Sequence, residues 1–381
     1  MAFTNTKKED TLAEATIRNV LFVQVNPCIR NVKIAAALKS AGVNVHLGYV
    51  GRTPQKTYGF GNDFYASIHD LGKWKFQHIR RVRQLIDQLN IDLIHYHNFP
   101  DELGARMILA NLPVPVIYDQ HDFFSQKKKL SRRRLYFEKV CNEQADGRIY
   151  ITEKYKNLVA QKYRLDGNYT VLPNYALGSI VPPDTAAPRR EDDKIHLVYI
   201  GLITRYPDRV RNLIDYFRLL SERDFVIHVY PTRSKRYPDY EAIPNVVMHK
   251  QLPLDKLVRE IAGYDLGILF LNKDVSEMYR VEELRHGAWN KFFDYITAGL
   301  PVVTFDEFEF MARIVKENQF GLSVPSIEEI TYRRIQELDF NHLREQVRKN
   351  RAKFFMENNI EPLIRFYQQT VTGFKGDGKK A

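Results

Sequence analysis

Residues 286–305 are His-Gly-Ala-Trp-Asn-Lys-Phe-Phe-Asp-Tyr-Ile-Thr-Ala-Gly-Leu-Pro-Val-Val-Thr-Phe. The apolar residues between Phe292 and Ile296 recur at helical spacing. Gly299 stands where such a helix would end. The Val302-Val303 pair that follows is typical of a buried strand. The stretch therefore predicts a helix that leads into a strand of a sheet.

The start of this predicted helix carries a cation. Lys291 in the first turn opposes the helix dipole by roughly 0.3–1 kcal/mol unless an anion is bound there. The free amides of the same turn would bind that anion, and Asn290 and Asp294 share a face with Lys291. Asp294 is placed one turn further to accept hydrogen bonds from sugar hydroxyls. The pattern indicates a phosphate and a ribose, and the alternative is an ordinary helix in which Lys291 and Asp294 pair at i,i+3.

The composition indicates a soluble protein that works in a reducing compartment. The chain has 381 residues, of which 44% are hydrophobic, enough for two domains. No apolar run approaches the ~20 residues of a spanning helix, and the first residues lack the apolar segment of a signal peptide. Cys28 and Cys141 by themselves predict neither a disulfide framework nor a zinc site. The net charge of +11 predicts an acidic partner: phospholipid, nucleic acid, nucleotide or anionic glycan.

Strands and helices alternate along both halves of the chain. Residues 19–50 predict a strand, a helix and a second strand, and further helix-strand pairs follow up to residue 151. The first turn, residues 26–31, contains no glycine, which argues against a dinucleotide-binding oxidoreductase. Prolines and charges between Pro182 and Lys194 interrupt the alternation, which begins again at His196.

This alternation predicts an α/β protein with two Rossmann-like, doubly wound domains. We place the first domain at residues 1–176, a linker at 177–194 and the second domain at 195–357. A last helix, at about 358–373, is expected to pack back on the first domain. Ligands of such sheets lie beyond the carboxyl ends of the strands.

The segments at the predicted strand ends resemble motifs of GT-B glycosyltransferases of the large family 4, over nearly the whole chain. The segments are Asp92-Leu-Ile-His-Tyr-His97, Val116-Ile-Tyr-Asp-Gln-His-Asp122, Ile149-Tyr-Ile-Thr-Glu153, Val171-Leu-Pro-Asn174, Val198-Tyr-Ile-Gly201 and Asn290 to Val303. The resemblance implies a GT-B fold, in which two Rossmann-like domains face a cleft. It also implies transfer of a sugar from a nucleotide-sugar to an acceptor, usually with retention, and no cofactor. No metal site is expected, and the chain contains no Asp-x-Asp motif.

In the first domain, the resemblance assigns a catalytic role to a histidine. His121 matches the family histidine that lies beside the donor sugar, where it could hydrogen-bond the sugar or stabilise a developing charge. The alternative is a histidine satisfied by loop backbone. His97 ends a strand at the same rim and is a weaker candidate on the acceptor side, since His95 and His97 could simply alternate between the two sheet faces.

In the second domain, the resemblance implies donor binding. Gly201 ends a strand, and Arg205 or Arg209 falls where similar enzymes bind the diphosphate, with Arg209 the better match near a predicted helix start. The same assignment applies to the predicted helix before Gly299, in which Asn290 and Lys291 would bind the diphosphate and Asp294 the ribose. Many members place glutamates at the two positions, eight apart, that hold His286 and Asp294 here. By its position His286 is a candidate donor-binding residue, and a histidine would contact the donor sugar differently from a glutamate.

Two basic clusters lie in the predicted acceptor domain. The first comprises Lys127, Lys128, Lys129, Arg132, Arg133 and Arg134. The second surrounds Trp74 and includes Arg80, Arg81 and Arg83, with an apolar stripe from Ile79 to Leu89 facing inward. A membrane surface with anionic lipid and a solvated protein face are equally compatible with such clusters.

We therefore expect a cytoplasmic glycosyltransferase that acts on the inner face of a membrane in polysaccharide or glycolipid biosynthesis. Its donor would be a nucleotide-sugar, and its acceptor a lipid-linked sugar or a cell-surface glycan. One alternative is a sugar-nucleotide epimerase on the same fold. Another is a non-catalytic relative that binds membranes or nucleic acid. Nucleic acid is not expected, since the clusters lack interleaved aromatic residues for base stacking.

Overall fold

The computed structural model describes residues 15–73, 75–183, 192–233, 235–275 and 282–374. Within these residues the chain forms two sheets, and every strand pairing in both is parallel. The first sheet has seven strands in the order β3-β2-β1-β4-β5-β6-β7. They are β1 Asn19–Gln24, β2 Asn44–Tyr49, β3 Ser67–Asp70, β4 Leu93–His97, β5 Val116–Gln120, β6 Gly147–Tyr150 and β7 Tyr169–Val171.

The second sheet repeats the same winding. Its six strands run in the order β10-β9-β8-β11-β12-β13. They are β8 His196–Gly201, β9 Val226–Pro231, β10 Val246–Met248, β11 Leu266–Leu269, β12 Val302–Phe305 and β13 Gly321–Val324. The predicted α/β class with two Rossmann-like domains is confirmed.

Helices connect the parallel strands, since each crossover must return the chain to the same end of the sheet. In the first half they are α1 Ile29–Ser40, α2 Pro54–Tyr58, α3 Lys75–Leu89, α4 Asp101–Leu109, α5 Phe124–Lys127, α6 Arg132–Gln144 and α7 Glu153–Ala160. Those that follow are α8 Ile214–Glu222, α9 Pro238–Glu241, α10 Leu254–Ile261, α11 Asn290–Thr297, α12 Glu309–Asn318, α13 Tyr332–Gln336, α14 Phe340–Asn350 and α15 Glu361–Gly373. None of the helices in the described ranges has the length and apolar character needed to cross a membrane.

The central strands lie under helices on both faces, which explains why they are recognisable from sequence. All residues of β4 and β5 are buried, as expected for strands of a parallel sheet covered on both sides. The edge strand β3, Ser-Ile-His-Asp, is only partly buried and lacks an apolar run, and sequence periodicity did not reveal it. Helix α15 covers the first sheet, where Phe366 and Tyr367 join the same core cluster as Val20 and Phe22.

The strand order fixes where a ligand can lie. In each sheet the winding reverses beside the first strand, between β1 and β4 and between β8 and β11. Loops leave these strand pairs in opposite directions, and the crevice between the loops is the usual ligand site of a doubly wound sheet. In this chain the crevices of both sheets open into one cavity.

Candidate functional site

The cavity between the domains has a volume of about 710 Å³. The first domain contributes the turn after β1 and the loop after β5, and the second contributes the loops after β8, β9 and β10 and the first turn of α11. A cavity of this size is within the range that binds small organic ligands. Of the predicted donor-binding residues, Gly201, Asn290, Lys291 and Asp294 line it, together with His121.

Lys291 is half-buried, and for its buried Nζ atom we find no hydrogen-bond acceptor in the described ranges. It is the second residue of α11, whose N-cap, Trp289, makes no side-chain capping hydrogen bond. The Nζ atom lies 4.2 Å from the centroid of the Tyr199 ring and 5.2 Å from that of Trp289. Burial, together with the charge of Arg211, holds the pKa of Lys291 well below its usual value. An unpaired charge in this position is costly, and a bound anion would remove the cost.

Gly201 lines the same cavity as Lys291. It ends β8 with φ of 127°, a conformation that residues with a Cβ rarely adopt. A Cβ built there would meet nothing closer than the Tyr199 hydroxyl at 3.9 Å, so the constraint is conformational and not steric.

Of the arginines that precede α8, Arg211 lines the cavity, and no sequence pattern indicated it. Arg205 and Arg209 are exposed and do not line the cavity. The prediction that a helix begins near Arg209 is wrong, since α8 begins at Ile214. Asp208 has a positive φ of 56° and turns the chain into a loop, which moves Arg211 to the position expected for Arg209. The presence of Arg205, Arg209 and Arg211 in one segment was the available signal for a cationic site. Their order in the chain does not show which side chain faces the cavity.

Asp294 contacts the opposite domain. Its Oδ1 accepts a hydrogen bond of 2.8 Å from Nζ of Lys33, a residue of α1, and Lys33 also donates to Asn290 Oδ1 at 3.3 Å. Burial raises the pKa of Asp294, against the opposing effect of Lys33. The alternative pairing of Asp294 with Lys291 at i,i+3 is not observed. The predicted contact of Asp294 with a ribose remains a prediction.

His286 lies outside the cavity. Its backbone oxygen accepts a hydrogen bond of 2.7 Å from the Thr152 hydroxyl, so the residue joins the two domains through its main chain. Both ring nitrogens lie 4.0 Å from a glutamate carboxylate, of Glu282 and Glu309. Burial lowers the pKa of this imidazole. Its predicted contact with the donor gains no geometric support.

His121 forms the opposite wall of the cavity, in the loop after β5. Its Nε2 lies 3.5 Å from Sγ of Cys28, and its Nδ1 lies 3.6 Å from Oδ1 of Asp119. Burial would lower the pKa of His121, but the charges of Cys28 and Asp119 raise it to about 10. Conversely, burial would raise the pKa of the Cys28 thiol, and His121 holds it below its usual value. Each group therefore stabilises the charged form of the other.

His97 does not line the cavity, although it ends β4 at the same edge. It is completely buried and stacks on His95 with ring centroids 4.1 Å apart. Oδ2 of Asp119 lies 3.2 Å from Nε2 of His95 and 3.4 Å from Nδ1 of His97, and it accepts a hydrogen bond of 2.7 Å from Nε of Arg30. The predicted acceptor contact of His97 is therefore not accessible in this arrangement, and the residue belongs to a buried network behind His121.

Lys127 belongs to an ion-pair bridge across the cavity, which contradicts its assignment to the membrane side. Its Nζ lies 2.7 Å from Oε1 of Glu283 in the second domain and also pairs with Asp122. The backbone N–H of Phe123 donates to Oε2 of Glu283 at 2.7 Å. Burial raises the pKa of Glu283 to about 7, although Lys127 acts against this increase. Lys127 and Glu283 come from different domains, and no sequence pattern predicted their contact.

The remaining cations of the first basic cluster are exposed. They are Lys128, Lys129, Arg132, Arg133 and Arg134. Tyr136, on the same helix as the arginines, has 52% of its surface exposed. In the second cluster Arg80, Arg81 and Arg83 are exposed while Val82 is buried, as the predicted stripe requires. Trp74 lies outside the described residues.

The end of the cavity near β9 and β10 is mainly apolar. It is lined by Tyr230, Leu252, Leu254 and Leu257, with Thr232 and Gln251 as polar groups beside them. An apolar slot with a few hydrogen-bonding groups suits a flat heterocycle. The cavity thus combines a cationic centre, formed by Lys291 and Arg211, with an apolar end.

Comparison with known proteins agrees with this geometry. The family model "Glycosyltransferase Family 4" matches residues 31–175, and the model "Glucosyltransferase 3-like, C-terminal domain" matches residues 214–357. The sequence comparison with curated proteins found no match.

Solved structures of similar fold include three glycosyl-transfer proteins. A glycosyltransferase from Rickettsia africae has 12% identity and a TM-score of 0.69, covering 94% of this chain and 100% of its own. Sucrose-phosphate synthase from Thermosynechococcus elongatus has 14% identity and a TM-score of 0.68, with coverage of 94% and 100%. HepE from Anabaena, solved with UDP-glucose, has 13% identity and a TM-score of 0.65, with coverage of 93% and 100%. These structures share the fold, and the two family models occupy its two domains: the chain is a glycosyltransferase of the GT-B fold that is similar to family 4 over its first domain.

Proposed function

We propose that this enzyme transfers a sugar from a nucleoside-diphosphate sugar to an acceptor, with retention of configuration and without a metal ion. The observation that carries the proposal is the buried Nζ of Lys291, which lacks a hydrogen-bond acceptor in the described residues while facing the cavity beside Arg211. A diphosphate would supply the missing negative charge, and two cations would neutralise it in the role that a metal ion has in other transferases.

The apolar end of the cavity supports a nucleotide as the carrier of that diphosphate. Tyr230 and Leu252 would contact the base, while Gly201 allows the phosphates to approach the backbone. HepE, which shares the fold, was solved both with UDP-glucose and with UDP. We propose a uridine nucleotide as the first donor to test.

The proposed reaction uses groups on both sides of the cavity. His121, with its pKa raised to about 10, is protonated at neutral pH and can donate a hydrogen bond to a hydroxyl of the donor sugar. As the bond from the sugar to the diphosphate breaks, Lys291 and Arg211 would stabilise the negative charge that develops on the leaving oxygen. That oxygen can then take the proton of the acceptor hydroxyl, and attack from the same face retains the configuration.

Titration calorimetry with UDP, GDP and ADP would test donor binding. Lys291→Met keeps the aliphatic stem and removes the charge, and should weaken binding of the preferred diphosphate by roughly 1.5–3 kcal/mol. Lys316→Met, at an exposed lysine of α12 paired with Asp306, is the matched control. Equal affinity in the wild type and Lys291→Met would refute this donor site.

We further propose that the acceptor is lipid-linked or a cell-surface glycan and that the enzyme works on the cytoplasmic face of a membrane. The exposed cations of the first basic cluster support this, together with the exposed Tyr136 on the same helix. Each cation near an anionic bilayer contributes about 1 kcal/mol. The attraction would confine the enzyme to the surface that holds its acceptor.

Cosedimentation with anionic vesicles would test this membrane proposal. Replacing Lys128, Lys129, Arg132, Arg133 and Arg134 with serine should release the protein into the supernatant, and added salt should do the same to the wild type. Lys127 is left in place because it bridges the domains. The control replaces the same number of exposed cations in the second domain: Arg313, Lys316, Arg333, Arg348 and Lys349. Equal sedimentation of both variants would mean that net charge, and not this surface, causes binding.

A further inference from the structure

Three metal-ligand side chains meet at the wall of the cavity. Cys28 follows β1, His97 ends β4 and His121 follows β5, so the sheet brings three separate loops together. One ligand atom of each residue lies within 4.8 Å of the other two. The separation of Cys28 Sγ and His121 Nε2 is 3.5 Å. Two ligands of a tetrahedral Zn²⁺ with such bonds lie about 3.6 Å apart, so this pair already has the required spacing.

His97 supplies an independent indication of a ligand. Its side chain is completely buried, and neither ring nitrogen has a hydrogen-bond partner in the described part of the chain. Buried polar atoms are almost always paired, because removing them from water without a partner is unfavourable. A metal ion would give one of the two nitrogens a partner.

The Asp119 carboxylate lies beside Nδ1 of both imidazoles. Its Oδ2 lies 3.4 Å from Nδ1 of His97, and its Oδ1 lies 3.6 Å from Nδ1 of His121. Metal-binding histidines commonly have a carboxylate beside the second ring nitrogen, which is the position that Asp119 holds here. With both Nδ1 atoms facing Asp119, the Nε2 atoms remain for the ion, and Nε2 of His121 already faces the thiol.

A second group of possible ligands, His95, His97 and Asp119, is less suitable. All three are completely buried, Asp119 accepts a hydrogen bond of 2.7 Å from Arg30, and His95 Nδ1 lies 2.5 Å from the Tyr367 hydroxyl. In contrast, Cys28 and His121 line the cavity, so an ion bound to them could exchange with solvent and keep one open position. Three protein ligands with an open position are typical of accessible zinc sites.

We propose that Cys28, His97 and His121 form a binding site for a thiophilic divalent cation, Zn²⁺ or its Co²⁺ analogue, and that this ion inhibits the enzyme. A thiolate with two imidazoles selects such ions over Mg²⁺ and Ca²⁺. The bound ion adds bonds from Sγ and two Nε2 atoms and releases the proton that Cys28 and His121 share. Inhibition follows because Nε2 of His121 is no longer available to the donor sugar, and this part rests on the proposed function.

The binding step can be tested without any activity assay. The full-length protein, treated with a chelator, is titrated with Co²⁺ and followed by its thiolate-to-cobalt absorption band. We expect one ion per chain, displaced by Zn²⁺ and unaffected by excess Mg²⁺. Cys28→Ser should abolish the band, and His97→Asn and His121→Asn should each weaken binding by at least about tenfold.

Two control variants make the result specific. Cys141→Ser removes the other cysteine of the chain, and His342→Asn removes an exposed histidine of α14, so both should retain the band. Thermal unfolding of each variant without metal verifies that it folds. Absence of a band in the wild type, or a band of normal intensity in folded Cys28→Ser, would overturn the site.

The inhibition step is tested separately. Zn²⁺ should reduce sugar transfer at the concentration at which it binds, a chelator should restore it, and the activity that remains in Cys28→Ser should be insensitive to Zn²⁺. Activation by Zn²⁺, or equal inhibition of Cys28→Ser, would refute the inhibitory role. A protein that binds Co²⁺ through Cys28 but transfers no sugar would instead refute the proposed function and leave the metal site standing.

Discussion

The two domains share a strand order, yet the side chains at their carboxyl edges are arranged in opposite ways. At the first edge, ionisable groups pair with one another: Asp119 binds Arg30 and lies beside His121. At the second edge, Lys291 and Arg211 face the cavity, and Lys291 lacks a hydrogen-bond acceptor in the described chain. The charged groups named at the first edge thus have partners of opposite charge within the protein, whereas Lys291 at the second edge has no such partner among the described residues. A common topology therefore places the site, while the residues at the strand ends determine its chemistry.

The largest effect on stability is expected at the Lys33–Asp294 ion pair, where the two edges meet. Lys33→Met leaves the Asp294 carboxylate without its cation, and the two side chains are 0% and 10% exposed. Loss of one member of a buried ion pair costs about 3–5 kcal/mol, which urea unfolding would measure. The double variant Lys33→Met/Asp294→Leu removes both charges and should recover most of the loss. A loss below about 1 kcal/mol in the single variant would show that the pair is effectively solvated.

Loss of a first-edge side chain should reduce the rate of sugar transfer more than the affinity for the nucleotide. His121→Ala should reduce the transfer rate by about 10²–10³, as for loss of one hydrogen-bond donor to a developing charge. Binding of the nucleoside diphosphate should change little, because the contact of His121 is with the sugar. Single-turnover kinetics and calorimetry on the same preparation would measure both. Equal losses in rate and affinity would show that His121 has a structural role. They would also contradict the proposal that the first edge contacts the sugar while the second binds the diphosphate.

The bridge between Glu283 and Lys127 should make stability depend on pH. Burial raises the folded-state pKa of Glu283 to about 7, against the ordinary value of 4.5. Between these pH values the unfolded chain ionises more readily than the folded one, so stability contributed by Glu283 is present below pH 4.5 and lost as pH rises through 7. Glu283→Gln cannot ionise, so its stability relative to wild type should rise across this window, by up to about 3 kcal/mol.

Urea unfolding of both proteins at several pH values would measure that change. Glu361→Gln, at an exposed glutamate of α15, is the control and should follow the wild type at every pH. A constant difference between Glu283→Gln and wild type from pH 4.5 to 7 would mean that Glu283 is ionised throughout and that Lys127 outweighs burial.

At the second edge, two arginine variants test whether Arg211 or Arg209 binds the diphosphate. Arg211→Ala should weaken diphosphate binding by roughly 1.5–3 kcal/mol, because this arginine lines the cavity beside Lys291. Arg209→Ala should have a smaller effect, since Arg209 is exposed outside the cavity. Arg218→Ala, on the exposed face of α8, controls for the loss of one positive charge. A larger effect at Arg209 would favour the assignment that the family resemblance implies. It would also require the loop after β8 to move when the donor binds.

Several features of the site were accessible from sequence because they depend on neighbours in the chain. Lys291 was identified at a helix start, and Gly201 at a strand end, from the local pattern of apolar residues. Arg211 was missed because the loop before α8 is shaped by Asp208 in a positive-φ conformation and by a hydrogen bond from the Thr204 N–H to the Arg211 carbonyl. Such loop geometry has no periodicity from which the inward-facing arginine could be predicted.

The sequence by itself determined the alternation of strands and helices and the division into two parallel sheets. These depend on hydrophobic periodicity within segments of about ten residues. Only the tertiary structure decided which distant side chains meet. Lys33 binds Asp294 across 261 residues, Cys28 reaches His121 across 93, and Lys127 leaves its basic cluster to bind Glu283. Burial and pairing of charges arise when the domains pack together, and a linear pattern of residue types contains no information about that packing.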